Sequence, residues 1–237
     1  MQLPRFSLPA VVSWIRAELG LVMLLFLSAG ATAAFVALVE DVVEGETREF
    51  DETVLLSLRS PDDPADPVGP AWLEAMFRDI TSLGSTTVVT LITLAVLGYL
   101  IMSRKHAAAL LVLVAVAGGA ALSTGLKLGF ERPRPDLVAH LVDVHSLSFP
   151  SGHAMVSAVT YLTLGALLAQ VEGRRRLKAY ILAVAVMLAL LVGLSRVYLG
   201  VHWPTDVIAG WCAGAAWATA CWVAAAWLQA RGSIEQP

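Results

Sequence analysis

Six stretches of this chain contain no Asp, Glu, Lys or Arg, and this pattern constrains the fold more than any other feature. About 20 apolar residues, within a range of roughly 17 to 25, cross the hydrocarbon core of a bilayer as a helix. The chain is 57% hydrophobic and 15% charged, whereas soluble domains carry about 25% charged residues. We therefore predict an all-α polytopic membrane protein, in which residues 1–237 form one domain with six transmembrane helices. The six stretches are 19–39, 80–103, 106–126, 154–171, 179–195 and 207–230.

The first stretch, 19–39, has to be distinguished from a secretory signal. It is longer than the ordinary apolar core of a signal peptide, and no convincing small-x-small cleavage site precedes the acidic residues that follow Val39. We expect a first helix that is retained in the mature protein.

The charged residues are divided unequally between the two sides of the predicted bundle. Residues 1–18, 103–106, 172–178 and 231–237 together hold nine Lys/Arg and three Asp/Glu, whereas the opposite side holds seven Lys/Arg and sixteen Asp/Glu. Lys and Arg in short loops mark the cytoplasmic side of a membrane protein. The charges therefore predict cytoplasmic termini, and they place the polar clusters described below on the outer side.

Residues 40–79 form a sizeable segment between the first two predicted spans. Apolar residues recur at helical spacing in 50–59 and again in 71–77, and four prolines interrupt the pattern between them. We expect a short extracytoplasmic segment with amphipathic helices at the membrane interface. It is either a surface cap on the bundle or a lid that guides lipid.

The sequence Pro150-Ser151-Gly152-His153 stands between a polar loop and the fourth apolar stretch, where a helix is predicted to begin. Ser151 is a natural N-cap, and Gly152 allows an anion to approach the backbone closely. Unpaired amides and the helix dipole make such a helix start an anion site, although Ser-Gly is also ordinary capping. His153 is a candidate proton donor.

Another polar cluster joins the fifth and sixth stretches, where Ser195-Arg196 precedes His202 and Asp206. Because Asp206 lies about one helical turn after His202, its carboxylate can bind one imidazole nitrogen and leave the other free as a nucleophile. A capping Asp beside an interfacial His is the simpler alternative. Arg196 ends a long apolar run, where an unpaired cation is costly, so it requires an anionic partner.

Three further cations, Lys127, Arg132 and Arg134, follow the third stretch. Cations at helix ends often extend towards lipid headgroups, and for Arg132 this alternative and a role in the site are equally open. The spacing of Lys127 and Arg134 favours a phosphate site.

Taken in order, these clusters resemble the signature of the type 2 phosphatidic acid phosphatase superfamily. Six residues separate Lys127 from Arg134-Pro135, five separate Arg196 from His202, and three separate His202 from Asp206. The resemblance extends to the six spans and to residues 81–85 before the second span. It is greatest to bacterial integral-membrane members such as phosphatidylglycerophosphate and undecaprenyl diphosphate phosphatases.

The resemblance implies a role for each position. His202 would attack phosphorus and form a phosphohistidine, Asp206 would orient it, and His153 would protonate the leaving oxygen and then activate water. Phosphoryl transfer needs in-line positioning and charge stabilisation, which fixed cations and amides provide. No metal or other cofactor is then expected. The phosphoryl oxygens would be bound by Lys127, Arg134, Ser151, Gly152 and Arg196.

A metal site is an alternative in the loop before the fourth span. His140, Asp143 and His145 are spaced so that they could feed a divalent ion. Their loop offers no supporting scaffold, and solvated loop residues are the simpler interpretation.

These observations predict hydrolysis of a lipid phosphate or diphosphate at the outer face of a bacterial inner membrane. A polar pocket at helix ends holds a headgroup while the lipid tails stay in hydrocarbon, so the expected partners are the bilayer and a lipid substrate, with no nucleic acid. One alternative is phosphoryl transfer to another lipid. A second is a non-catalytic phospholipid binder or transporter, which would need no pairing of His202 with Asp206 and no His153.

Overall fold

The structure, a computed structural model, describes residues 8–144 and 146–230. This part of the chain forms eight helices and one short antiparallel ribbon, so the predicted all-α class is confirmed. The helices are α1 (Leu8–Glu44), α2 (Arg48–Ser57), α3 (Ala71–Ser82), α4 (Thr86–Met102), α5 (His106–Gly129), α6 (Gly152–Val171), α7 (Arg175–Tyr198) and α8 (Pro204–Ala230); the strands are β1 (Arg59–Ser60) and β2 (Asp63–Pro67).

Among the described residues, five helices are long and apolar enough to cross a membrane, and a bent helix pair makes a sixth span when it is counted as one. This pair is α3 and α4, which meet at an angle of 47°. The second predicted stretch, 80–103, begins in the last turn of α3 and continues through the bend rather than starting at a helix start. The bend has a local cause, because the Ser85 hydroxyl accepts a hydrogen bond from the Val88 amide at 3.3 Å and so caps a new helix.

Helix α6 lies at the centre of the bundle, where it packs against α5, α7 and α8, while α1 packs against α8. Two glycines allow α8 to approach α6 closely. A Cβ added at Gly210 would lie 2.7 Å from the Ser151 carbonyl oxygen, and one at Gly214 would lie 2.6 Å from that of Met155. This packing places the start of α8 beside the start of α6, where the Ser151 amide donates to the Asp206 carbonyl at 2.9 Å.

Helices α2 and α3 are anchored to one end of this bundle. They correspond to the amphipathic segments predicted at 50–59 and 71–77. Leu55 of α2 is fully buried in a cluster with residues of α6, α7 and α8, and Phe77 of α3 stacks on Tyr198 with ring centroids 4.2 Å apart. The proline-rich stretch between the two helices forms the ribbon, in which Arg59 pairs with Pro67. This ribbon was not predicted, because the prolines of the stretch indicate only that a helix cannot continue through it.

Candidate active site

A cavity of about 660 Å³ opens at the same end of the bundle, and the polar clusters predicted from sequence converge on it. One helix start, two helix ends and two connecting segments contribute to its wall. The bend between α3 and α4 forms a further part of the wall with residues 81–86. Lining side chains from the predicted site are Lys127, Arg134, Gly152, His153, Arg196 and His202.

His202 and Asp206 form the buried pair that their spacing predicts. Nδ1 of His202 lies 3.3 Å from Oδ2 of Asp206, and the two side chains are 2% and 0% exposed. Asp206 Oδ2 also accepts hydrogen bonds from the Ser148 hydroxyl and, at 3.0 Å, from the Trp203 amide. Pro204 begins α8, where its missing amide costs no hydrogen bond. The carboxylate is therefore held against one nitrogen of the imidazole.

Burial lowers the pKa of His202 to about 3, which outweighs the opposite effect of the nearby Asp206 carboxylate. The imidazole is therefore neutral at neutral pH. A carboxylate at Nδ1 keeps the ring proton there and leaves a lone pair on Nε2. A neutral imidazole with a free Nε2 at the cavity has the properties of a nucleophile.

Arg134 lies next to this free nitrogen. Its Nη1 is 3.3 Å from Nε2 of His202 and donates to the Val201 carbonyl at 2.5 Å, while its Nε donates to the Ser146 carbonyl at 2.7 Å. Burial lowers the pKa of the Arg134 guanidinium, but a guanidinium remains protonated in proteins. The site thus holds a fixed cation beside the candidate nucleophile.

Two more cations complete the positive wall of the cavity. Lys127 Nζ donates to the Leu147 carbonyl at 2.6 Å. Arg196 is 3% exposed, and its Nη1 donates to the Thr81 hydroxyl at 2.9 Å, while its Nε has no partner in the described part of the chain. Among the side chains that the structure describes, in residues 20–144 and 146–229, neither cation forms an ion pair with a carboxylate. A buried cation in the state of Arg196 requires an anionic partner.

The start of α6 differs in one respect from the prediction. Ser151 occupies the N-cap position, but its hydroxyl makes no capping bond, is fully buried, and has no partner among the described residues. Gly152 and His153 line the cavity at this point, and Ser151 does not. A Cβ added at Gly152 would lie 3.3 Å from the Ser123 hydroxyl and 3.5 Å from Cε of Lys127. Glycine therefore keeps this helix start open to a ligand.

Arg132, whose role the sequence left open, binds the acidic partner of the histidine. Its Nη1 donates to Oδ1 of Asp206 at 2.6 Å, and its Nη2 donates to Oδ2 of Asp51 at 2.6 Å. The sequence motifs do not include Asp51 or Ser148. The only signal for Ser148 was its position three residues before Ser151, and nothing in the local spacing connects Asp51 to the site.

Two of the three residues of the predicted metal alternative, His140 and Asp143, lie in the described part of the chain. The His140 ring donates to the Pro135 carbonyl at 2.7 Å, and Asp143 lines the cavity. His145 lies outside the described residues. Among the residues described, no three His, Cys, Asp or Glu side chains are grouped as a metal site.

The fold is a helical membrane bundle, and a histidine–carboxylate pair and three cations lie around its cavity. These features are typical of membrane enzymes that act on phosphate groups. Residues 108–230 match the PAP2 superfamily. Phosphatidylglycerophosphatase B of Bacillus subtilis is 36% identical over 144 residues, which cover 60% of this chain and 70% of that protein. An undecaprenyl-diphosphatase of Sulfolobus acidocaldarius is 43% identical over 68 residues, 29% of each chain.

The fold agrees with a solved structure of the same superfamily. The crystal structure of the transmembrane PAP2 type phosphatidylglycerolphosphate phosphatase from Bacillus subtilis matches with a TM-score of 0.74 and 27% identity, over 89% of this chain and 98% of that one. The chain belongs to the PAP2 superfamily, as its motifs predicted. It is an integral-membrane lipid phosphatase.

Proposed function

We propose that this chain hydrolyses a lipid phosphate or diphosphate through a phosphohistidine intermediate, without a metal ion, at the outer face of a bacterial inner membrane. Residues 1–237 act as one unit, with both termini in the cytoplasm and segment 40–79 covering the outer end of the site. One observation carries the proposal. Asp206 holds Nδ1 of His202, so that the unprotonated Nε2, which Arg134 contacts, lies at a cavity lined by three cations.

In the first step, Nε2 of His202 attacks phosphorus in line with the bond to the lipid oxygen. The N–P bond forms as the P–O bond breaks, and His153 gives its proton to the departing oxygen. Asp206 stabilises the positive charge that develops on the His202 ring. In the second step, His153 takes a proton from water, the hydroxide attacks phosphorus, and the N–P bond breaks to release inorganic phosphate.

The cations act on the charge of the phosphoryl group. Lys127, Arg134 and Arg196 bind its equatorial oxygens, together with the Gly152 amide, whereas Ser151, which does not line the cavity, has no part in this binding. Because these groups are held in place before the substrate arrives, they need no reorganisation during the reaction. Removal of one such fixed donor typically lowers kcat by roughly 10²- to 10³-fold.

The substrate class follows from where the cavity lies. It opens at helix ends, so a charged headgroup can enter while its acyl or prenyl tails remain beside the bundle. The relatives described above are named for phosphatidylglycerophosphate and undecaprenyl diphosphate. We propose these two kinds of lipid as the first substrates to test.

Detergent-purified protein should release inorganic phosphate from members of a lipid phosphate panel with EDTA present. His202→Ala and His153→Ala should each lose most turnover, since acid–base help alone is commonly worth about 10²- to 10⁴-fold. Brief reaction with ³²P-labelled substrate should leave acid-labile label on the wild-type protein and none on His202→Ala. Folded His202→Ala with near-normal turnover would rule out the mechanism. Label recovered in a second lipid instead of phosphate would favour the phosphotransferase.

A further inference from the structure

A chain of polar contacts extends from His202 out of the cavity to helix α2. Asp206 uses Oδ2 for His202 and Oδ1 for Arg132, which lies 2.6 Å away. The second terminal nitrogen of Arg132 lies 2.6 Å from Oδ2 of Asp51, a side chain that is only 1% exposed. One guanidinium therefore links two buried carboxylates, and only one of them contacts the histidine.

Asp51 also fixes the backbone that carries Asp206. Its Oδ1 accepts from the Thr205 amide at 2.9 Å, and its Oδ2 accepts from the Thr205 hydroxyl at 2.6 Å. Thr205 directly precedes Asp206, and its hydroxyl also accepts from Arg132 at 2.8 Å. Four residues after Asp51, the fully buried Leu55 holds α2 against the bundle. The Asp51 carboxylate is thus a rigid part of this end of the protein.

The charges of this chain of contacts explain why a second carboxylate matters. If Asp51 were neutral, the whole charge of Arg132 would be balanced by Asp206 alone. The carboxylate would then offer less negative potential to the His202 ring, which becomes positive when it attacks phosphorus. Because these groups are removed from water, such differences in charge have larger effects than at the surface.

We propose that Asp51 is a positioning residue for the reaction, because it shares Arg132 with Asp206 and so keeps Asp206 oriented and negative towards His202. The inference rests on the proposed function, in which His202 is the nucleophile. It makes α2 a fixed part of the catalytic arrangement rather than a lid that moves with the substrate.

The test compares two adjacent acidic residues of α2. Asp51→Asn keeps the shape of the side chain and removes its charge. Glu52→Gln is the matched control, since among the described residues Glu52 pairs only with the exposed Arg48. The substrates are phosphatidylglycerophosphate and undecaprenyl diphosphate in detergent micelles. Residues of one polar network are commonly coupled by about 2- to 150-fold. We expect Asp51→Asn to lower kcat about tenfold with KM within about twofold of wild type, and Glu52→Gln to leave both unchanged.

Measurements in an Arg132→Gln background distinguish a positioning role of Asp51 from a merely structural one. If Asp51 acts through Arg132, Asp51→Asn should cause no further loss of kcat when it is added to Arg132→Gln. The Asp51→Asn/Arg132→Gln double variant lacks both charges of the ion pair, so neither charge is left buried without its partner. Its kcat can therefore be measured even if one single variant folds poorly. An equal loss of kcat in both backgrounds would mean that Asp51 acts only by holding Thr205 or α2, and would overturn the proposal.

His202→Ala, measured in parallel, distinguishes a failure of the proposed role of Asp51 from a failure of the proposed function. An inactive His202→Ala together with Asp51→Asn at the wild-type kcat overturns the role of Asp51 and leaves the proposed function standing. A His202→Ala variant that turns over substrate normally overturns both.

Discussion

Nη1 of Arg134 lies 3.3 Å from Nε2 of His202, so a cation donates towards the nitrogen that faces the cavity. A guanidinium has no lone pair, and this contact therefore requires a neutral imidazole with its proton on Nδ1. The same guanidinium is fixed by the carbonyls of Ser146 and Val201. In the proposed reaction, an entering phosphoryl group replaces this contact with one from Arg134 to a phosphoryl oxygen, which would leave Nε2 free to attack.

Arg134→Gln should therefore lower kcat strongly. The change removes a fixed cation beside the reacting phosphorus, and the expected loss is about 10²- to 10³-fold. Arg78→Gln is the matched control, because Arg78 is exposed and, in the described part of the chain, pairs only with Glu74 on α3. Initial rates of phosphate release by the detergent-purified variants check this, and equal rates for the two variants would contradict it.

Ser148→Ala should lower kcat by about 10- to 100-fold. The Ser148 hydroxyl donates to Oδ2 of Asp206, and a hydrogen bond to a charged group is worth about 1.5–3 kcal/mol, at 1.4 kcal/mol for each factor of ten. Ser57→Ala, which removes an exposed hydroxyl bonded to its own helix, should have no effect. Rates within twofold of wild type for Ser148→Ala would show that Asp206 is oriented without this bond.

The spans and the cavity-facing residues were predictable because they depend on local features of the sequence. A long run of residues without charge identifies a membrane helix. The spacings within the motifs identified His153, His202 and Asp206, which the fold brings to one end of the bundle. The bend between α3 and α4 was not predicted, since the uncharged stretch 80–103 continues through it and only the capping Ser85 marks the new start.

The partners of Arg132 could not be predicted for a different reason. Asp51 and Asp206 lie 81 and 74 positions from it in the chain. They meet only after α2 has docked on the bundle through Leu55. A cation near a helix end has the same local sequence whether it reaches lipid headgroups or a buried carboxylate. The tertiary packing alone decides between them.

The buried His202 should make the folded protein less stable in mild acid. Its pKa is lowered to about 3 in the folded protein, whereas a histidine in an unfolded chain titrates at about 6.5. Between these values the unfolded chain binds a proton that the folded protein does not, so stability is present above about pH 6.5 and is lost as the pH falls. The fall in Tm from about pH 7.5 to about pH 5 should be smaller in His202→Asn than in wild type. His106→Asn, at an exposed histidine, should follow the wild type, and equal slopes in all three proteins would refute the assignment.

Turnover should survive EDTA, and orthovanadate should inhibit it. Lys127, Arg134 and Arg196 surround a cavity at a helix start, which suits a trigonal-bipyramidal oxyanion. Phosphate release is measured with chelator and then with added divalent ions. Loss of activity with EDTA that a divalent ion restores would instead support the metal site predicted as an alternative at His140, Asp143 and His145.

The site should face away from the cytoplasm. This prediction depends on charge alone, since the short loops and termini on one side hold nine of the sixteen Lys/Arg and three of the nineteen Asp/Glu. Asp143 is exposed at the cavity, and Arg175 is exposed at the start of α7, at the opposite end of the bundle's helices. In a background with Cys212→Ala and Cys221→Ala, Asp143→Cys should react with a membrane-impermeant thiol reagent in intact cells. Arg175→Cys should react only after lysis, because the charges predict that its loop lies in the cytoplasm. The reverse labelling would place the cavity inside the cell and exclude lipids of the outer leaflet as direct substrates.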